Sequence, residues 1–337
     1  MNGETPMSTP LRFIPEEAKR WKDSEGRDIA VAEVTIKTIL AMYLLRPTER
    51  NKSLIIGVIA RAKAMLDFEL YGYAFLSNHG SMLMGVRSAE QLSNIMQYIH
   101  GNIARELGRK ENSDWQGRFW GRRGRAILVL TDDDLIARMA YLLANSTKEH
   151  LVKHPARWPG AHCAKALCEG KPDKGAWISH TQLRQMRAAN PHKNITTADA
   201  TTWAPLELDQ LPCWAHLTPT EYRQQIKTIC HQIKEDAEAE RQATGGTVVG
   251  KKRLLRYSPH HRPTTTDKSP APPIHCRDLE LRFKFIDAYR DFVDAYRTAH
   301  KRLATLINSP NQAHHPTPLY FPPGGIPPGS TWATQAH

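Results

Sequence analysis

Cysteine is scarce and unpatterned: Cys163, Cys168, Cys213, Cys230 and Cys276 are five in a chain of 337 residues, and no two form a Cys-x-x-Cys pair. An odd count without framework spacing argues against a secreted disulfide scaffold. His162, Cys163 and Cys168 lie close in sequence, but their spacing fits no common zinc pattern. No apolar run reaches membrane-spanning length, and the N-terminal stretch MNGETPMSTPLRF holds no apolar h-region. A soluble, cytoplasmic protein without a membrane partner is therefore expected. No segment repeats. Acid is also under-represented: 34 Asp and Glu face 46 Lys and Arg, a formal charge of +12. An excess of that sign suits a polyanion, because Lys and Arg gain by displacing counterions from phosphates.

The segments that are there alternate in period. Residues 1–28 are polar and read as a tail or a loosely docked arm. Residues 31–45 are β-branched and apolar, strand or helix by pattern alone, and Arg46-Pro47 ends them. Leu54, Ile55, Val58, Ile59, Ala62 and Leu66 share a helical face. Residues 68–77 and 81–86 read as strands. Leu92, Ile95, Met96, Ile99, Ile103 and Leu107 predict a helix over 88–108, with Ser88 and Gln91 as a capping box. A strand at 126–130 follows, then a helix capped by Thr131 whose first turn holds three aspartates. The order strand, helix, strand, strand, helix, strand, helix predicts an α+β domain over 29–172, a small antiparallel or mixed sheet with helices on one face, close to a ferredoxin-like split βαβ arrangement. Residues 173–337 read as a mainly helical, partly irregular extension. It has helices at 219–242 and 277–307, a Pro-, Thr- and His-containing linker or arm over 244–275, and a Pro-rich tail.

Four motifs stand in order along the first half: Phe75 to Met84 around His79-Gly80-Ser81, then Gln97-Tyr98-Ile99, then Trp115 to Trp120, then Tyr141 to Asn145. Trp158-Pro159 follows. This series resembles the single-tyrosine HUH transposases, in the branch of the REP-associated tyrosine transposases, over residues 30–170. The resemblance implies a strand carrying His-hydrophobic-His that binds one divalent metal, Mg or Mn, and a helix whose tyrosine attacks a DNA phosphodiester. Carried over residue by residue, His79 takes the first histidine, Tyr141 the nucleophile and Asn145 the third ligand. A spacing of four puts Tyr141 and Asn145 on one helical face.

Ser81 stands where the family has its second histidine. A hydroxyl is a short and weak ligand, and His79 with Asn145 makes a thin shell for a divalent ion. Two functions follow from the resemblance. One is tyrosine-dependent, metal-assisted nicking and strand transfer on single-stranded or hairpin DNA. The other is a catalytically impaired descendant that binds a DNA structure as a regulator. Binding to unpaired RNA is a third reading. Relatives of this fold work as homodimers or as monomers.

The stretch 117–125 holds Arg118, Arg122, Arg123 and Arg125 and no acid. Arginine grips phosphate with paired hydrogen bonds, and Phe119, Trp115 or Trp120 offers a ring to an unpaired base. Arg105, Arg109 and Lys110 extend this candidate DNA-binding face. Lys251, Lys252, Arg253, Arg256, His260, His261 and Arg262 form a second basic segment, read either as a DNA-following arm or as a solvated linker.

Overall fold

The computed structural model describes residues 12–109, 115, 117–263 and 274–308. Lys110, Gln116 and the segment 264–273 lie outside the described residues.

The central strand is β2 (Asp28–Lys37), preceded by the short β1 (Trp21–Lys22) that pairs with it. Ile29 to Val34 are buried without interruption. The strand is covered on both faces, so the period-two alternation of a half-exposed strand is missing. That is why the sequence pattern alone left it open between strand and helix. It stops at Lys37, ahead of Arg46-Pro47, because a short 3-10 turn follows in which Leu40 and Ala41 take positive φ values of 51° and 54°.

Helix α1 (Glu49–Leu66) begins where the Thr48 hydroxyl accepts the Asn51 amide. Strands β3 (Glu69–Phe75) and β4 (His79–Val86) form a hairpin, and α2 (Ala89–Leu107) follows. Only half of the expected capping box forms. The Ser88 hydroxyl accepts the Gln91 amide, but the Gln91 carbonyl reaches one residue further back and accepts from the Arg87 amide. Strand β5 (Arg125–Val129) leads into α3 (Asp132–Lys148), capped by Thr131 as expected. The strand order β3-β4-β2-β5, antiparallel throughout, is that of a split βαβ domain. The protein is α+β, as its element order implied. Helices α1 and α2 pack side by side, and α3 packs over β3 and β4 on the other face of the sheet.

The chain continues through α4 (Ala164–Glu169), β6 (Asp173–Ile178), α5 (His180–Ala189), β7 (Thr201–Leu206), α6 (Pro219–Thr244), α7 (Lys251–Arg256), β8 (Ile274–His275) and α8 (Leu279–Asn308). Strands β6 and β7 form a hairpin laid on α1. The approach is so close that a Cβ on Gly57 would sit 2.0 Å from the Ala176 carbonyl oxygen, which only glycine permits. Helix α6 packs on α3 and α4 and carries the full Thr218–Glu221 capping box.

Three expectations change. Residues 12–28 are not a free tail: Ile14, Ala18 and Trp21 are buried, Phe13 stacks on Phe292 at 4.6 Å, and the Trp21 indole donates to Asp132 at 2.8 Å. Four apolar side chains among many polar ones are too few to show a period. The stretch 244–275 is not featureless, since it contains α7 and ends in β8, which joins β5 in parallel. The extension also shares the core of the sheet: Leu206, Leu211, Tyr222, Ile226, Ile274 and Phe285 belong to the same buried cluster as Val31 and Leu83. A division at 172/173 therefore cuts through one hydrophobic core.

Candidate tyrosine site and nucleic-acid interface

Strand β4 sets the face on which the motif residues lie. His79 pairs with Lys37, and Ser81 pairs with Thr35 on one side and Ala74 on the other. His79, Ser81 and Leu83 alternate onto one face by the period of two. Gly80 between them cannot carry a side chain, because a Cβ there would lie 2.4 Å from the Phe75 ring. Helix α3 covers this same face, since a Cβ on Gly72, which pairs with Leu83, would meet Met139 and Leu142. The His79 Nδ1 lies 2.8 Å from the Asn78 Oδ1. Burial, with Lys37 adding to it, lowers the His79 imidazole to about 4 and keeps it neutral at pH 7. Ser81 is buried.

Along α3, Tyr141 is 43% exposed and Asn145 only 7%, although they stand one turn apart. The Tyr141 ring lies between two cations, the Arg138 guanidinium 4.2 Å and the Lys148 ammonium 5.3 Å from its centroid.

Beneath Arg138 is a group that the motif reading missed. Glu33, in the middle of β2, is 2% exposed. Its carboxylate accepts from Arg138 at 2.8 Å and meets His275 Nε2 at 2.7 Å. Burial alone would raise this carboxyl, but the hydrogen bonds from His275 and Arg138 outweigh it and hold Glu33 below the usual carboxylate range. The signal was an acid inside the apolar run Val31-Ala-Glu-Val-Thr-Ile36. His275 gave none, because its two-residue strand is too short to show a pattern. His162 was also passed over. It bridges to Ala74, in the row of Ser81, and is buried.

The donors at the family's metal positions are the His79 imidazole, the Ser81 hydroxyl and the Asn145 amide, so a short hydroxyl stands where the family has its second imidazole. Glu33, a carboxylate under α3, is held by Arg138 and His275. Among the described residues no group of three or more His, Cys, Asp or Glu is placed to hold an ion. With Ser81 in place of an imidazole, His79 and Asn145 are left as a thin donor set for such an ion.

The basic stretch leaves Arg118, Arg122, Arg123 and Arg125 exposed. It is tied to the His79 end of the sheet, because Trp120 bridges to Thr38, whose amide donates to the Asn78 carbonyl. Arg105 is exposed and donates to Asn102, while Lys110 lies outside the described residues. The aromatic rings of this stretch pack within the loop. Phe119 is 6% exposed, Trp120 donates to the His100 carbonyl and packs edge-on against Phe119, and Trp115 donates to the Arg118 carbonyl. They shape the loop from within and leave its arginines outside.

No family model matches the chain, and no curated protein matches it. Among solved structures it is similar to a REP-associated tyrosine transposase bound to a REP hairpin, at 17% identity and a TM-score of 0.35, over 42% of this chain and 81% of that one. It is also similar to a candidate transposase from Deinococcus radiodurans R1, at 11% identity and a TM-score of 0.27, over 37% of this chain and 95% of that one.

Proposed function

We propose that this protein binds single-stranded or hairpin DNA through a transposase-type domain and that its capacity for metal-assisted cleavage is impaired. The observation that carries the binding half is the acid-free set of four exposed arginines at the end of the sheet where β4 begins. Such a cluster serves a phosphate backbone better than a neutral or cationic ligand. The impaired chemistry follows from the donor set. Ser81 replaces an imidazole by a buried hydroxyl, and Glu33 is engaged elsewhere. Tyr141 keeps an exposed position beside two cations, an arrangement suited to a backbone phosphate near its hydroxyl. A REP-type hairpin is a suitable first ligand to try.

The test uses a labelled DNA hairpin and the matching single strand with Mg or Mn, read by anisotropy and by a denaturing gel. Binding without a covalent band is expected. A strong covalent band that vanishes in Tyr141→Phe would replace this reading by the active tyrosine nickase. No binding at low salt would end the DNA assignment.

A further inference from the structure

The second basic segment is docked, and where it docks gives it a role. Residues 249–250 are pinned to the end of α3: the Val249 amide donates to the His150 carbonyl and the Gly250 amide to that of Leu151, each at 3.0 Å. Leu254, on α7, is 2% exposed and packs with Leu76, Val152 and Trp158. The segment then crosses the loop that follows β2. The Tyr43 amide donates to the His261 carbonyl at 3.1 Å, and the Tyr43 ring meets those of Tyr257 and His261 at 5.5 and 4.9 Å. At its far end His260 lies edge-on to Trp115 at 6.1 Å, so the arm touches the arginine loop itself. Leu76 is three residues from His79, so arm and loop border the same end of the sheet.

Two features of this arm suit a ligand. Residues 250–263 hold five cations, Lys251, Lys252, Arg253, Arg256 and Arg262, and no acid. All five are exposed, and the docking itself is made by Leu254, Tyr257, His261 and backbone groups. The His261 ring stacks on Tyr257 at 4.8 Å and 25°, yet His261 is exposed. An aromatic pair whose His261 member is exposed, beside cations that form no ion pair among the described residues, matches the way unpaired bases and their phosphates are held.

We infer that the arm 250–262 is a second wall of the DNA surface. A single strand would lie between it and the loop 117–125, with one base extending the His261–Tyr257 stack and its phosphates facing Arg256 and Arg262. This rests on the DNA-binding reading above. It adds that the extension, and not only the sheet domain, supplies contacts, and that the strand at this wall is unpaired.

The probe is a fluorescein-labelled oligothymidine, titrated against the full chain over a range of salt. Arg256→Ala with Arg262→Ala should weaken binding and lower the log–log salt slope by roughly 1.4, about 0.7 for each phosphate contact. His261→Ala should weaken binding by roughly tenfold with the slope unchanged, the mark of a lost stacking platform. A bromodeoxyuridine strand should photocrosslink to Tyr257 or His261. The inference is overturned if these variants bind as wild type does while Arg122→Ala with Arg125→Ala is weakened, since DNA binding would then stand without the arm. Wild type that binds no DNA overturns both readings, and a preference for oligouridine or for duplex overturns the single-stranded DNA assignment.

Discussion

The Arg138 guanidinium lies 4.2 Å from the centre of the Tyr141 ring while the same group donates to Glu33 at 2.8 Å. The orientation of an exposed tyrosine is thereby tied to a carboxylate in the centre of the sheet. His275, from the last strand, completes the tie at 2.7 Å.

Glu33→Gln should therefore cost about 3 kcal/mol of stability, because it removes the carboxylate that Arg138 and His275 share in a mostly buried setting. Tyr141→Phe should change stability by less than about 0.5 kcal/mol, as an exposed position does. Urea denaturation of both variants checks this. Equal stabilities would show that the Glu33 cluster is not a working contact.

Acid should destabilise the protein before its carboxylates titrate. Burial lowers His100 to about 3, with Arg12 adding to it, and burial lowers His162 to about 4 against an opposing effect of the Leu143 backbone. In the unfolded chain these imidazoles bind protons near the ordinary value of about 6.5. Between that pH and about 4 the unfolded state holds more protons, so stability falls as pH falls, by about 1.4 kcal/mol per unit for each histidine. Unfolding free energies measured at neutral pH and near pH 5 should differ accordingly, and His162→Gln should flatten the slope.

Ser81→His should not restore a metal site at no cost. Ser81 is 3% exposed, with Thr35 and Ala74 beside it in the sheet. Placing an imidazole there should overpack the space under α3 and lower stability by about 1–3 kcal/mol. Thermal melts with and without Mn read both effects. A variant as stable as wild type without metal would show that the space is already present.

Arg122→Ala with Arg125→Ala should reduce affinity for single-stranded DNA and lower the salt slope by roughly 1.4. Both side chains are exposed, so circular dichroism and melting should stay unchanged. An unaltered slope would remove this loop from the interface.

The fold was largely legible because its periods are clean. The three-four spacing from Leu92 to Leu107 and the cap at Thr131 marked α2 and α3 to within a few residues. The site was legible only as far as its motifs. Tyr141 and His79 could be picked out, but Glu33 could not be joined to His275 across the whole extension by any local pattern. The roles of Phe119 and Trp120 were hidden for a related reason. An aromatic ring in a basic stretch reads the same whether it faces inward or outward, and only packing decides. The arm around Leu254 was obscured because one buried leucine carries no period.

Strand β8 pairs in parallel with the Leu128–Val129 end of β5, so that end of the sheet's edge is covered by residues that emerge from the ribosome after all of 130–273. During synthesis β5 waits with bare amides and carbonyls, a template for the wrong partner. Contacts so distant in sequence form late and slowly. A chain ended after α3 would keep each element of the split βαβ plan yet lose the cover of that edge and the histidine that holds Glu33. The extension is thus a closing step in the assembly of the sheet itself, and the nascent protein depends on it before any ligand is met.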